Sequence, residues 1–196
     1  MKRFMDVVGA WVGLVVLCPL LGLLWLAVVA ESGMPGFFRQ QRAGRRGRYF
    51  ALLKFRSMTV RRGTEQGSFD VGSAARVTRV GAFLRKTKLD ELPQLWNVLK
   101  GDMSLVGPRP EVRKWVEAYP ERWAKVLTVR PGITDPASIE FRNEEDILAR
   151  SPDPERTYRK EILPRKLDLY EQYVATRSFW GDVGLLIKTL LVVVGK

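Results

Sequence analysis

The sequence predicts an α+β fold that is mostly helical, with one short β-hairpin and a kinked membrane helix at its front. Three observations predict it. Val7 to Ala30 is a run of 24 uncharged residues with Pro19 near its middle. FFRQQRAGRRGRYFALLKFRSM reads as two strands around a basic, glycine-containing turn. Further on, apolar residues recur at helical spacing between proline- and glycine-rich loops. The 196 residues suit one domain of ordinary size with a small membrane appendage. The SGMPG linker, Ser32 to Gly36, divides them into 1–36 and 37–196.

An unbroken helix over Val7–Ala30 would reach ~36 Å, enough to cross a bilayer. A cleaved signal peptide fits less well, because the stretch is long and ESGMPG is not an A-x-A type of site. Both flanks are basic: Lys2 and Arg3 before, Arg39, Arg42, Arg45, Arg46 and Arg48 after. Positive residues prefer the cytoplasmic side, so a spanning helix leaves one flank misplaced. A helix bent at Cys18-Pro19 keeps both flanks on one face, although its backbone polar groups at the bend then need partners in the membrane. A single-pass anchor with a proline kink is the alternative.

The elements follow in order. Nine basic and no acidic residues lie from Arg39 to Arg62, a patch drawn to anionic lipid by ~1 kcal/mol per charge. The hairpin occupies this stretch. Arg61 to Ala74 reads as loop. Arg76–Lys86 suits a short helix and Asp90–Lys100 a better one, with Asp90 as N-cap, Pro93 as third helical residue and Gly101 as stop. Leu92, Leu95, Trp96 and Leu99 give that helix one apolar face. SLVGPRPEV and TVRPGITDPASIEF are loops flanking a helix near Glu111–Leu127. Glu144, Glu145, Asp146, Asp153 and Glu155 form an acidic patch, expected to be solvated. Tyr158–Ala175 is helical and amphipathic. Leu185–Gly195 is too short to span, and either lies in the membrane interface or packs as a core helix.

Composition narrows the chemistry. There are 33 Lys and Arg against 21 Asp and Glu, for a net +12, which favours polyanionic partners. The chain lacks histidine and has one cysteine, Cys18. That removes His-based acid/base catalysis, Ser-His triads, disulfides within the chain and His or Cys-cluster metal sites. Carboxylates, amines, hydroxyls, arginines and an oxygen-bound metal remain.

KTKLDELPQ sets the pair Asp90-Glu91 in an otherwise basic stretch. Read locally, Asp90 is a capping residue whose backbone hydrogen bonds, helix dipole and cationic neighbours favour its ionised form. Such a carboxylate can hold a divalent cation or attack phosphorus, with Glu91 beside it to handle a proton. Lys54 and Arg56 in LKFRSM, Arg85, Lys88, and Arg109 in GPRP each lie near a turn or element end. Singly each reads as a surface charge; together they outline a phosphate-rich ligand. A membrane-anchored nucleic-acid-binding protein is the rival from another class, but no helix-turn-helix or RNP signature is present, so no nucleic-acid partner is expected. A non-catalytic lipid-binding protein would not need Asp90 or Glu91.

LKFRSM, RVTRVGAFLRKTKLDELPQLWNVLKGDMSLVGPRP and RPGIT resemble, in order and over nearly the whole chain, the bacterial sugar transferases called monotopic phosphoglycosyl transferases, most closely their small members. The resemblance implies transfer of sugar-1-phosphate from a UDP-sugar to polyprenyl (undecaprenyl) phosphate, with release of UMP, as the first membrane step of a surface glycan. It implies Asp90 as nucleophile and Mg²⁺ contact, Glu91 as its partner in proton handling, and Arg85, Arg109 and Arg142 as phosphate contacts. It also implies a re-entrant helix hairpin over 1–36, bent at Pro19, and a cytosolic, membrane-associated catalytic domain over 37–196 at the cytoplasmic face of the inner membrane. Membrane lipid is then a partner, and a homodimer is left open. Two departures stand out. Cys18 replaces the Ser that often precedes the bend proline. DPASIEFRN replaces a QVNGRN-like run, of which only Arg142-Asn143 still matches, so sugar choice is expected to differ.

Overall fold

The computed structural model describes residues 1–59 and 76–194. The loop expected over Arg61–Ala74 lies outside them. Helix α1, Lys2–Ser32, runs without interruption through Pro19. At 1.5 Å per residue it is ~46 Å long. It is the one helix among the described residues long and apolar enough to cross a bilayer. Trp11, Val12, Val15, Val16, Leu23 and Leu26 are exposed along it, while Ala10, Leu24 and Val28 are buried.

Both ends of α1 are tied to the same body. At its start, Lys2 pairs with Asp182, the Arg3 guanidinium donates to the carbonyls of Val98 (2.7 Å) and Leu99 (3.0 Å), and Asp6 accepts from Ser104 Oγ and Leu105 N, each at 2.9 Å. At its end, the Glu31 carboxylate accepts from the Arg79 and Val80 amides at 2.8 and 2.9 Å.

Strands β1 (Phe37–Ala43) and β2 (Tyr49–Phe55) form the expected antiparallel hairpin, with Phe37 opposite Phe55 and Ala43 opposite Tyr49. Helix α2 is Arg79–Thr87, capped by Thr78 Oγ1, which accepts from Gly81 N at 2.9 Å. A 3₁₀ turn over Leu89–Glu91 separates it from α3, Gln94–Lys100. Asp90 therefore does not cap α3; Pro93 occupies that position. The cause is local. Pro93 has no N–H to give Leu89 O, and that carbonyl instead accepts from Leu92 N at 3.3 Å.

Strand β3 (Ser104–Val106) pairs in parallel with β4 (Gly132–Thr134). The helix expected near Glu111–Leu127 is divided by Pro120 into α4 (Arg113–Ala118) and α5 (Pro120–Val126). Short helices α6 (Pro136–Glu140), α7 (Glu144–Ala149) and α8 (Pro154–Thr157) follow. A π-type turn over Tyr158–Ile162 leads into α9, Leu163–Thr176. Pro164 withholds the N–H that would close an ordinary turn there.

Helix α10, Phe179–Val194, ends the described chain. Its Ile187, Leu190 and Leu191 are each more than half exposed, so it is not a buried core helix. Its inner side is held by Asp182 and by Thr189, whose hydroxyl meets that of Thr134 at 2.5 Å.

Three apolar clusters hold these elements together. Trp115, Trp123, Tyr158, Leu163, Leu167 and Tyr170 lead the one formed by α4 to α9. Ala10 joins Phe50, Leu52, Val98 and Met103. Leu24 and Val28 join Phe55 and Leu84. Each large side chain so buried contributes ~1.5–3 kcal/mol. Helix α1 thus supplies part of two of the three clusters.

Candidate active site

Three segments meet around the Asp90-Glu91 pair: the end of β2, the 3₁₀ turn, and the loop after β3. Asn97 fixes the first. From α3 its side chain donates to Ala51 O (2.8 Å) and accepts from Leu53 N (3.0 Å). This docks α3 on the free edge of β2 and brings Lys54, the next residue, over the turn. The backbones of Gly107 and Gly132 fix the third segment. A Cβ on Gly132 would lie 2.1 Å from Gly107 N, so the GPRP and RPGIT loops can approach this closely only without side chains there. Gly107 N donates to Thr134 O, and Gly132 N to Pro108 O, both at 3.0 Å. Arg109 is aimed from this clasp.

Glu91 is the centre of the charge. Its carboxylate accepts from Lys54 Nζ at 2.8 Å and receives a two-pronged contact from Arg109, one prong at 3.1 Å. Burial opposes its ionised form, but Arg109 and Lys54 outweigh burial and hold it well below the usual carboxylate range. Arg109 is raised well above its ordinary value, chiefly by Glu91. Lys54 is lowered, because burial of its ammonium outweighs the attraction of Glu91.

Asp90 is different. It is 7% exposed, and its Oδ1 is buried without a hydrogen-bond partner among the described residues. Burial raises its pKa, against the opposing pull of Lys54. This corrects the expectation of a capping carboxylate favoured in its ionised form. The proton-handling role expected of Glu91 also fits poorly, since two cations hold it ionised.

The remaining expected contacts divide. Arg85, partly buried, reaches the exposed Glu145 Oε1 at 2.8 Å. Lys88, in the left-handed conformation that ends α2 (φ 59°), is exposed and close enough to lower Asp90. Arg142 is exposed in the turn before α7, with no ion pair among the described residues. Arg56 is a correction. It is buried, and its guanidinium donates to the carbonyls of Ser32 (2.6 Å), Gly33 and Met34 (3.3 Å) at the end of α1. It closes a helix terminus and does not face the carboxylates.

The acidic patch is likewise partly engaged: Glu145 meets Arg85, and Glu144 pairs with Lys166, which is buried on α9. Several residues went unread in the sequence. Asn97 is one: it lies off the face read from Leu92, Leu95, Trp96 and Leu99, and with Gln94 and Val98 it forms the buried side of α3, while Trp96 is exposed. Asp135, fully buried behind Arg109, caps α6 by accepting from Ser138 N at 2.9 Å, and burial raises its pKa. Arg42 and Glu111 pair at 3.2 Å, and Tyr158 donates to Glu111. Nothing local marks these long-range partners. Among the described residues no group of three or more Asp, Glu, His or Cys could hold a metal ion.

A family model described as bacterial sugar transferase matches residues 1–196. The chain belongs to the bacterial sugar transferase family. It is 38% identical over 98% of its length to the galactosyl transferase CpsE of Streptococcus agalactiae, and 36% identical over its whole length to the undecaprenyl-phosphate galactose phosphotransferase of Salmonella typhimurium. A third relative, the UDP-glucose:undecaprenyl-phosphate glucose-1-phosphate transferase of Caulobacter vibrioides, is 38% identical over 96% of the chain. The chain spans 42% and 41% of the first two relatives and 68% of the third. For this sugar transferase family member, the stretch carrying the clamped glutamate and its open neighbour lies within the matched region.

Proposed function

We propose that the protein transfers a sugar-1-phosphate from a UDP-sugar to polyprenyl (undecaprenyl) phosphate, releasing UMP, through a covalent phosphosugar on Asp90. One observation carries this reading: the two neighbouring carboxylates are divided between tasks. Glu91 is consumed by Lys54 and Arg109, while Asp90 keeps a buried oxygen without a partner. An unmet buried acceptor costs ~1–3 kcal/mol, which supports a role for Asp90 beyond packing. The relatives named for undecaprenyl-phosphate sugar transfer support the substrate classes.

The steps balance without a general base. An Asp90 oxygen bonds to the sugar-bearing phosphorus, and the bond from that phosphorus to the bridging oxygen breaks, leaving with UMP. A phosphate oxygen of the lipid then bonds to the same phosphorus, and Asp90 departs as a carboxylate. No hydroxyl proton has to be removed, which suits a chain without histidine. Lys54 and Arg109 offer the charge on which a diphosphate is positioned and stabilised. Lys88 and, through its pair with Glu145, Arg85 lie near the carboxylates, and Arg142 is assigned to a substrate phosphate by the resemblance alone.

Mg²⁺ would be held here through the Asp90 carboxylate and otherwise by water and substrate phosphates, as the ion prefers. When bound it would neutralise charge on the diphosphate. Both ends of α1 bind one body, which supports a helix held at the cytoplasmic face of a bacterial inner membrane; the bend expected at Cys18-Pro19 would have to form within a helix that continues through Pro19.

The test is mass spectrometry of the protein with a UDP-sugar and Mg²⁺ but without lipid acceptor. A phosphosugar adduct on Asp90 is expected, and Asp90→Asn should lose roughly 10³-fold or more in UMP release. No adduct, with Asp90→Asn still active, would overturn the assignment.

A further inference from the structure

A cavity of about 530 Å³ lies away from the carboxylate pair. It is bounded by the start of α1, the β4-side loop Thr128–Arg130, and the joint between α9 and α10 at Arg177–Phe179. Five cations line it: Lys2, Arg3, Arg45, Arg130 and Arg177. Its two carboxylates are already committed. Asp182 is taken by Lys2 and Tyr173, and Asp6 by Ser104 and Leu105 N.

The arginines are held in a particular way. Arg45 donates through Nε to Thr128 O at 3.1 Å, and Arg130 through Nε to Gly101 O at 2.9 Å. Each is fixed at its inner edge by a neutral carbonyl, and among the described residues the two terminal nitrogens of each make no hydrogen bond. Those terminal nitrogens form the fork that takes a phosphate or carboxylate bidentately. Arg3 is likewise anchored on carbonyls rather than on an anion. The cavity therefore carries an uncompensated positive charge with its donors already positioned.

Its depth is marked by its neighbours. Both helices with exposed apolar faces, α1 and α10, begin at its rim. Exposed Phe4 and Trp180 stand beside it, 75% and 78% accessible. Aromatic residues next to cations at the start of apolar helices sit at the headgroup level of a bilayer.

We propose that this cavity binds the phosphate of an anionic membrane lipid, at a site separate from the reaction centre. The proposal rests on the membrane placement given above, but not on the chemistry of Asp90. Such a ligand would lock the two apolar helices to the same headgroup layer and set the height of the body over the membrane.

The experiment uses the full chain in detergent with phosphatidylglycerol and native mass spectrometry. One phosphatidylglycerol per chain should be retained, and neutral phosphatidylcholine should not compete. In Arg45→Gln/Arg130→Gln the apparent Kd should rise roughly 30-fold, at about fivefold per cation removed. Arg177→Gln, which disturbs no side-chain hydrogen bond among the described residues, should weaken retention about fivefold and guards against misfolding of the double variant. Equal retention of phosphatidylcholine, or unchanged retention in both variants, overturns the proposal. Displacement of the lipid by millimolar inorganic phosphate would assign the site to a soluble phosphate and overturn the lipid assignment. UMP release measured in parallel separates a failure here from a failure of the Asp90 reading.

Discussion

Removing the Glu91 carboxylate would leave the Lys54 ammonium and the Arg109 guanidinium facing each other with no anion between them. Breaking a buried pair in this way costs about 3–5 kcal/mol. The lower end applies, since Arg109 keeps 31% of its side chain exposed. Acid should act in the same direction. Glu91 titrates near 4.5 when unfolded and well below that when folded. The unfolded chain therefore binds more protons in that window, and stability rises with pH through it. The contribution of Glu91 is complete above about pH 4.5 and is lost as pH falls toward its folded value. Asp90 has the opposite sign: its pKa is raised, so its ionised form costs stability once the pH exceeds its ordinary 3.8. In thermal melts, Glu91→Gln should melt lower than the parent at pH 7 and show a flatter decline below pH 4.5. A variant curve that tracks the parent down to pH 3 would contradict this. At this scale the sequence was partly readable. KTKLDELPQ marked the carboxylate pair, but which carboxylate was held by cations and which was not depended on Lys54, 37 residues away. No local pattern contains that partner.

Among the elements, α1 and the 3₁₀ turn decide most. The hairpin and α2 could be read in advance because alternation and capping are local signals. The turn at Asp90 was misread as a cap, although Pro93, the residue responsible, was in view. Arg56 was misread for a different reason: a buried arginine that closes a helix end looks the same in sequence as one that waits for phosphate. The two roles separate experimentally. Arg56→Lys should lower Tm, since three carbonyls share the guanidinium, while KM for the UDP-sugar stays within about twofold. A phosphate contact would instead raise KM with little change in Tm. For α1, a cysteine inserted between Met1 and Lys2 and, separately, one replacing Arg48 should both be labelled from the same side of sealed vesicles, in a Cys18→Ser background. Labelling from opposite sides would require a spanning helix.

Over the whole molecule, the α4–α9 cluster could stand largely by itself, but the site does not belong to it. Lys54, Asp90 and Glu91 sit on β2, the 3₁₀ turn and their contacts with α2 and α3, whose inner faces are completed by Ala10, Leu24 and Val28 of α1. The sequence predicted an appendage at 1–36 joined to a domain at 37–196; in the structure Ala10, Leu24 and Val28 pack into clusters shared with residues of 37–196. Hydropathy identified α1 correctly as apolar but could not show which of its residues face protein rather than lipid. The consequence concerns severance. Gly33 to Gly36 looks like a hinge where a protease would free a soluble enzyme, yet a cut there should release nothing. The two fragments should migrate apart in denaturing gels and together through size exclusion in mild detergent, still producing UMP. Deleting α1 at the gene level should instead yield insoluble protein, because the chain would never have had the surface on which its reaction centre is assembled.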